Sequence, residues 1–300
     1  AHYCGVYGHK PSYQIVSPRG HGLGGTVSVA DIAAVGPLAR SAGDLELALR
    51  ATAGPDPIDG AGWKLALASP GWRSPRGLRV AVMLTHPTAE VDESVQAPIH
   101  ALARFLARNG AKVSDRARPA FDPDEAHKVF IQLLRFATSG RQPDRQYRRF
   151  EQQKHSIAAD DTGYYAQFVR GTTMAPRDWV RLNERRHRMR LAWAEFFRDW
   201  DVLLCPTAAT AAFPHMQTGE RWERMLNVNG EPQPSTTQMF WAGYSGMCFL
   251  PSTVAPVGLT KEGLPVGVQI VGPQYGDLLT IRFAQLVERE YYAFVAPPGY

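Results

Sequence analysis

The sequence predicts an α/β fold, a mixed β-sheet core flanked by helices on both faces. Three stretches carry that reading. Gly77–Leu84 has a buried-strand pattern, the helical pattern Asp92–Asn109 follows, and Lys112-Val113 opens a second strand, the spacing of a βαβ unit. Asp201-Val-Leu-Leu-Cys205 is a short apolar run that suits a strand covered on both sides. Ser252–Leu259 and Val266–Val271, joined across Lys261-Glu-Gly263, form an antiparallel hairpin pattern.

Taken in order, the chain opens with a glycine-punctuated crossing, Ala1–Ser17. Gly5 and Gly8 permit close backbone approach or positive φ. Lys10-Pro11 fixes an extended exit, and Tyr3, Val6 and Tyr7 supply packing between the glycines. Pro18–Gly25 is a loop whose glycines make no phosphate cradle, because no Gly-Lys-Ser/Thr follows. Val27–Val35 is apolar and is expected to pass near the core. Ser41-x-x-Asp44 is a capping signal for a helix through Leu45, Leu47, Leu49 and Ala53, ended by Gly54-Pro55. Asp56–Arg76 is a connector containing Trp63 and Trp72.

In the helix from Asp92, Val95, Ile99, Leu102, Phe105 and Leu106 share one face; Pro98 is early enough to kink it without abolishing it. Residues 119–200 carry helical patterns broken at Gly140, Pro143, Gly163, Gly171 and Pro176, with Asp178 expected as an N-cap. Phe130, Ile131, Leu133, Leu134 and Phe136 suit either core or pocket wall. Helices are also expected over Thr236–Tyr244 and after Asp277, the latter residue acting as cap. The whole reads as one domain, 1–300, with a helical, insertion-like layer at about 119–200.

Composition narrows the function classes. Hydrophobic residues make up 44% and charged residues 20% of the chain, near the average for folded domains. No apolar run reaches the roughly 18 residues that span a bilayer, so no membrane partner is expected. The net charge of +5 gathers in Arg141–Lys154 and Arg177–Arg190. The second reads as a solvated helix face, and without a recognised binding module nucleic acid is not expected as a partner. Cys4, Cys205 and Cys248 are odd in number and widely spaced, which implies neither a disulfide framework nor a metal knuckle. Reduced, buried thiols and a cytoplasmic location are the expectation. His215 has no second histidine at zinc spacing, so no metal and no cofactor is called for.

Separated motifs then resemble one family in the right order. These are Ala1 with Cys4-Gly-Val-Tyr-Gly-His-Lys-Pro-Ser12, then Gly36-Pro-Leu-Ala-Arg-Ser41 with Asp44 and Ala53-Gly-Pro-Asp56, then Asp201–Thr207, and finally Gly263–Pro273. They resemble the amidase signature enzymes over nearly the whole chain, with Ser12 where threonine is common. The resemblance implies a hydrolase that cleaves a carboxamide C–N bond, or an ester, through a serine acyl-enzyme. It also implies that the Ser-Ser-Lys triad lies upstream of the position matching Ala1, so that the amino-terminal part of the fold is missing. This chain would then hold no catalytic residue. Cys4, Gly5, Gly8 and Lys10 would support the nucleophile loop from behind. Met239, Phe240, Trp241 and Tyr244 would wall the pocket for a small-molecule amide or ester, and the 119–200 layer would shape its tunnel.

Other readings remain open at this level. One is a folded fragment or interaction module without turnover, whose exposed sheet edges and apolar surface would favour self-association. Another is a rewired serine esterase using residues of this chain, with Ser17 and His21, or Cys4 near His2 and His9, as its candidates. Gly243-Tyr-Ser-Gly-Met247 is a decoy. It lacks the final glycine of a nucleophile elbow and is expected on a helix.

Overall fold

A computed structural model describes residues 1–21 and 27–299. Its strands are β1 (Tyr7–Lys10), β2 (Leu38–Ala39), β3 (Arg79–Val82), β4 (Lys112–Ser114), β5 (Val202–Pro206), β6 (Met225–Val228), β7 (Glu231–Pro234), β8 (Ser252–Leu259) and β9 (Pro265–Val271). Its helices are α1 (Ala42–Thr52), α2 (Glu93–Arg108), α3 (Pro123–Ser139), α4 (Asp144–Gln153), α5 (Tyr164–Thr172), α6 (Pro176–Asp199), α7 (Gln238–Gly246) and α8 (Asp277–Glu290).

Seven strands form one mixed sheet in the order β2-β1-β8-β9-β5-β3-β4, and β6 and β7 form a separate ribbon. β3 runs parallel to both β4 and β5, whereas β5, β9, β8, β1 and β2 pair antiparallel. The central strands are the apolar ones, β5 being buried at every residue, and the short edge strands β2 and β4 are the exposed ones. The β8–β9 ladder is irregular between Pro256 and Gly258, where Gly258 takes φ +153°, a value L side chains rarely adopt.

Helices cover both faces, as neighbouring residues of β8 show. Successive side chains of a strand point to opposite sides. Thr253 Oγ1 meets Thr280 Oγ1 of α8 at 2.8 Å, while Ser252 Oγ meets Ser245 Oγ of α7 at 3.3 Å. α7 belongs to a helical layer with α3, α5 and α6.

The predicted cap forms at Ser41, and Asp92 and Asp122 also cap helices. Ser41 Oγ accepts from Asp44 N–H at 3.0 Å, Asp92 Oδ1 from Ser94 N–H at 3.0 Å, and Asp122 Oδ1 from Asp124 N–H at 2.9 Å. α2 continues through Pro98.

Four expectations are corrected or narrowed. α6 starts at Pro176, before Asp178, because proline has no N–H to lose at a first helical position. Asp277 opens α8 but does not cap it; its buried carboxylate is drawn to Ser12 and His9 instead. Val27 is 81% and Val29 40% exposed, so of Val27–Val35 the apolar approach to the core narrows to Ile32, which packs against it. The anchor there is polar, Asp31 pairing with the buried Arg186 at 2.9 Å. Cys4 is exposed, whereas Cys205 and Cys248 are buried. The glycine-rich end of the Pro18–Gly25 loop falls mostly outside the described residues.

Candidate functional site

A cavity of about 670 Å³ opens beside Ala1, within the size range of small-molecule sites. Its wall comes from the chain start (Ala1, Tyr3), the segment after β5 (Thr207), the residues leading into β6 (Arg221, Arg224) and α7 (Met239). A second cavity of about 600 Å³, reaching His215 and Glu223, adjoins it through the shared Met216 and Arg224.

Hydrogen bonds hold the chain start against this wall. Gly5 at φ +63° turns the chain out of the short helix His2–Cys4, and a β-carbon there would stand 3.1 Å from Pro265. His2 Nδ1 accepts from Gly267 N–H at 2.9 Å, so its other nitrogen carries the proton and donates to Thr210 O at 3.0 Å. Burial pushes the His2 pKa below 6.5 and outweighs these bonds, leaving a neutral brace with no free nitrogen. Tyr3 OH donates to Gln238 Oε1 at 2.8 Å, which ties the chain start to α7.

α7 is fixed from beneath by a buried glutamine. Gln269 Nε2 donates to Trp241 O at 3.1 Å and to Pro206 O at 3.3 Å, and Gln269 Oε1 accepts from Ser245 Oγ at 2.9 Å. The decoy serine, Ser245, is thus a fully buried tether.

The residues singled out in the sequence fall in different places. Gly8, on β1, is pressed so closely that a β-carbon would stand 2.8 Å from Ala1 Cβ. Lys10 Nζ donates to Leu250 O and Pro11 O, and burial pushes its pKa down to about 8. Met239 faces the cavity. Phe240, Trp241 and Tyr244 turn into the core, where Trp241 Nε1 donates to Ala89 O at 3.2 Å and Tyr244 packs edge-on to Trp193. Phe130, Ile131 and Leu133 of α3 are likewise core residues.

Ser17 Oγ accepts from Arg19 N–H at 3.3 Å, and no bond joins it to His21 among the described residues. His9 is buried and committed, its Nε2 to Asp277 Oδ1 at 3.1 Å and its Nδ1 to Thr253 Oγ1 at 2.9 Å. Burial raises the thiols of Cys205 and Cys248 to about 12, which keeps both protonated. Among the described residues, the hydroxyls of Thr207 and Ser235 that line the cavity are bonded to no imidazole, amine or carboxylate. Among the described residues, these walls hold no activated nucleophile.

Arg221 and Arg224 were not singled out from sequence. Their surroundings, Gly219-Glu-Arg-Trp-Glu-Arg224, read as a charged surface loop, and the one local signal was the Glu220/Glu223 spacing of a capping box.

Comparison with known proteins settles the family, because the amidase family model matches residues 1–281. The chain belongs to the amidase family. It is 28% identical, over 99% of its length, to a glutamyl-tRNA(Gln) amidotransferase subunit of Anaeromyxobacter sp. (strain K), and covers 62% of that protein. It is 29% identical to an acylamidase of Rhodococcus erythropolis, over 94% of this amidase-family chain and 56% of the relative. The chain therefore spans about three fifths of the length of the curated relatives it matches.

Solved structures share the fold. A protein from a vestigial complex bearing on the origins of an s-triazine catabolic enzyme, inhibitor-bound, superposes with TM-score 0.73 at 22% identity, covering 99% of this chain and 61% of its own. A bacterial aryl acylamidase of the amidase signature family superposes with TM-score 0.69 at 20% identity, covering 96% and 59%.

Proposed function

We propose that this chain forms the substrate-binding and nucleophile-supporting part of an amidase that cleaves a small-molecule carboxamide, or an ester, through a serine acyl-enzyme. The observation that carries the reading is the cavity of about 670 Å³ that opens at Ala1, the residue that matches the family just downstream of its serine. In this reading the serine oxygen attacks the substrate carbonyl carbon, the C–N bond breaks, and the amine leaves with a proton from the lysine base. Water then hydrolyses the acyl-enzyme and restores the serine. Backbone N–H groups beside the serine would stabilise the oxyanion, each typically contributing about 2.7–4 kcal/mol.

The roles of this chain's residues follow from their positions. Gly5 and Gly8 allow the tight passage beneath the nucleophile loop, His2 locks that passage to β9, and Met239 forms part of the substrate wall. Lys10 ties the end of β1 to Leu250. No helix among the described residues is long and apolar enough to cross a membrane, in keeping with a proposed cytoplasmic location. The similarity to proteins named as amidotransferase subunits supports a place in an assembly, whether with copies of itself or with another chain.

The test is labelling of the intact protein with a fluorophosphonate, followed by peptide mapping and an assay of amine release from a panel of carboxamides. The expected result is amine release together with one adduct, on a serine outside residues 1–300. An adduct on Ser17, or on any other serine of this chain, would overturn the assignment and name a different nucleophile.

A further inference from the structure

Among the described residues, the cavity beside Ala1 is lined by two arginines and by no carboxylate. Arg221 begins the short helix Arg221–Glu223, and Arg224 follows directly. Two glutamates belong to the same turn, and on sequence alone they would be the arginines' natural partners. The fold assigns them elsewhere. Glu223 Oε2 accepts from the Glu220 N–H at 3.0 Å, and the Glu220 side chain accepts in return from the Glu223 backbone, a reciprocal capping box. Glu223 lines the adjoining cavity together with Arg224, but among the described residues no ion pair joins the two.

The guanidinium groups are left with weak or partial partners. Arg221 Nη2 reaches Met239 Sδ at 3.5 Å, a poor acceptor. Arg224 Nη2 donates to Gly219 O at 3.1 Å, while Arg224 Nε is buried with no partner among the described residues. Four arginines of α6 do find carboxylates. Arg181, Arg185, Arg188 and Arg198 pair with Asp178, Glu125, Glu184 and Glu195 respectively. A partly buried donor without an acceptor costs free energy that an incoming anion would recover.

The rest of the wall defines the ligand's body. Tyr3, Phe213, Met216 and Met239 present aromatic and thioether surface to the same space. We infer that the cavity takes an amphipathic carboxylate, with its apolar body against Tyr3, Phe213, Met216 and Met239 and its carboxylate on Arg221 and Arg224. Resting on the amidase reading for turnover alone, this makes the preferred substrate an amide that carries a carboxylate away from the scissile bond.

Two measurements on the intact protein separate this inference from that reading. The first is calorimetric binding of terephthalate against 1,4-diacetylbenzene, a neutral molecule of similar shape that also cannot turn over as an amide. Terephthalate is expected to bind at least about tenfold more tightly, and Arg221→Gln and Arg224→Ala are each expected to erase that preference while leaving the neutral ligand's affinity unchanged. Arg221 is exposed, so Arg221→Gln serves as the variant that keeps its fold. Equal binding of the two ligands, or a preference that survives both substitutions, overturns the inference.

The second is hydrolysis of 4-carbamoylbenzoate against 4-acetylbenzamide. The charged amide is expected to show the higher kcat/KM, through KM, with the difference lost in both variants. If neither amide is cleaved but the charge-dependent binding is present, the amidase reading fails and the carboxylate site stands. If both are cleaved equally and bind without charge dependence, the amidase reading stands and the carboxylate site fails.

Discussion

Gly243 of α7 lies flat against the ring of Phe130 on α3. A β-carbon built on Gly243 would stand 2.3 Å from Phe130 Cδ1. The contact sets how closely the cavity-bearing helix approaches the helical layer, because α7 also carries Met239 and Gln238. Gly243→Ala is expected to destabilise the protein by about 1–3 kcal/mol through overpacking. Adding Phe130→Leu should recover part of that loss, which chemical denaturation of the two single variants and the double variant would detect. Additive losses would mean that the contact is not the cause.

His127 predicts an acid limb in the stability profile. Its Nδ1 is buried without a partner among the described residues, and its ring packs 5.6 Å from Phe240. Burial pushes its pKa from 6.5 down to about 4; Asp124 opposes that shift and His86 adds to it. Because the folded state holds this proton less tightly than the unfolded state, stability is full above pH 6.5 and falls as the pH drops towards 4. The group alone contributes about 3 kcal/mol over that window. His127→Gln should flatten the limb by that amount in urea titrations at pH 7.5 and 4, and an unchanged slope would assign it to other groups.

Much of the frame was legible because its signals are local and periodic. Ser41 caps its helix, Asp92 opens the next one, and the hairpin around Lys261-Glu-Gly263 forms as β8 and β9. Residues whose partners lie far along the chain were less readable. Asp277 looks like a cap because it opens an amphipathic stretch, and nothing near it announces Ser12 or His9, more than 260 positions away. The site divides in the same way. Gln238, Met239 and Ala242 share the cavity side of α7, whereas Phe240, Trp241 and Tyr244 lie on its core side. A run of aromatics identifies such a helix without saying which side meets substrate. Arg221 and Arg224 were hidden because their availability depends on where the Glu220 and Glu223 carboxylates turn.

Lys10 predicts a dependence of the same sign at alkaline pH. Burial lowers its pKa from 10.5 to about 8, with Asp277 opposing the shift. Between those values the unfolded chain binds the proton that the folded chain has released, so this group makes stability rise with pH. The rise from pH 8 to pH 10 is expected to be about 2 kcal/mol from Lys10. Lys10→Met should remove it, as read from denaturation midpoints at the two pH values. A variant with the same rise as the native protein would place the titrating group elsewhere.

The Asp277 carboxylate joins the first strand to the last helix. Its Oδ1 accepts from Ser12 N–H at 2.7 Å and from His9 Nε2–H at 3.1 Å, and its Oδ2 accepts from Ser12 Oγ at 2.7 Å. Burial alone would raise its pKa, but His9 and Ser12 outweigh burial and hold it below 3.8. The stabilisation from this group is thus present above pH 3.8 and is lost as the pH falls through the lower folded value. Asp277→Ala would strand buried donors on β1 and on the turn after it, at a cost of about 3–5 kcal/mol. Because β1 continues from the passage that forms one wall of the cavity, the damage should reach that wall. Hydrogen exchange is expected to quicken in residues 2–12 as well as at the start of α8. Faster exchange confined to α8 would show that the carboxylate secures its own helix and not the strand beneath the site.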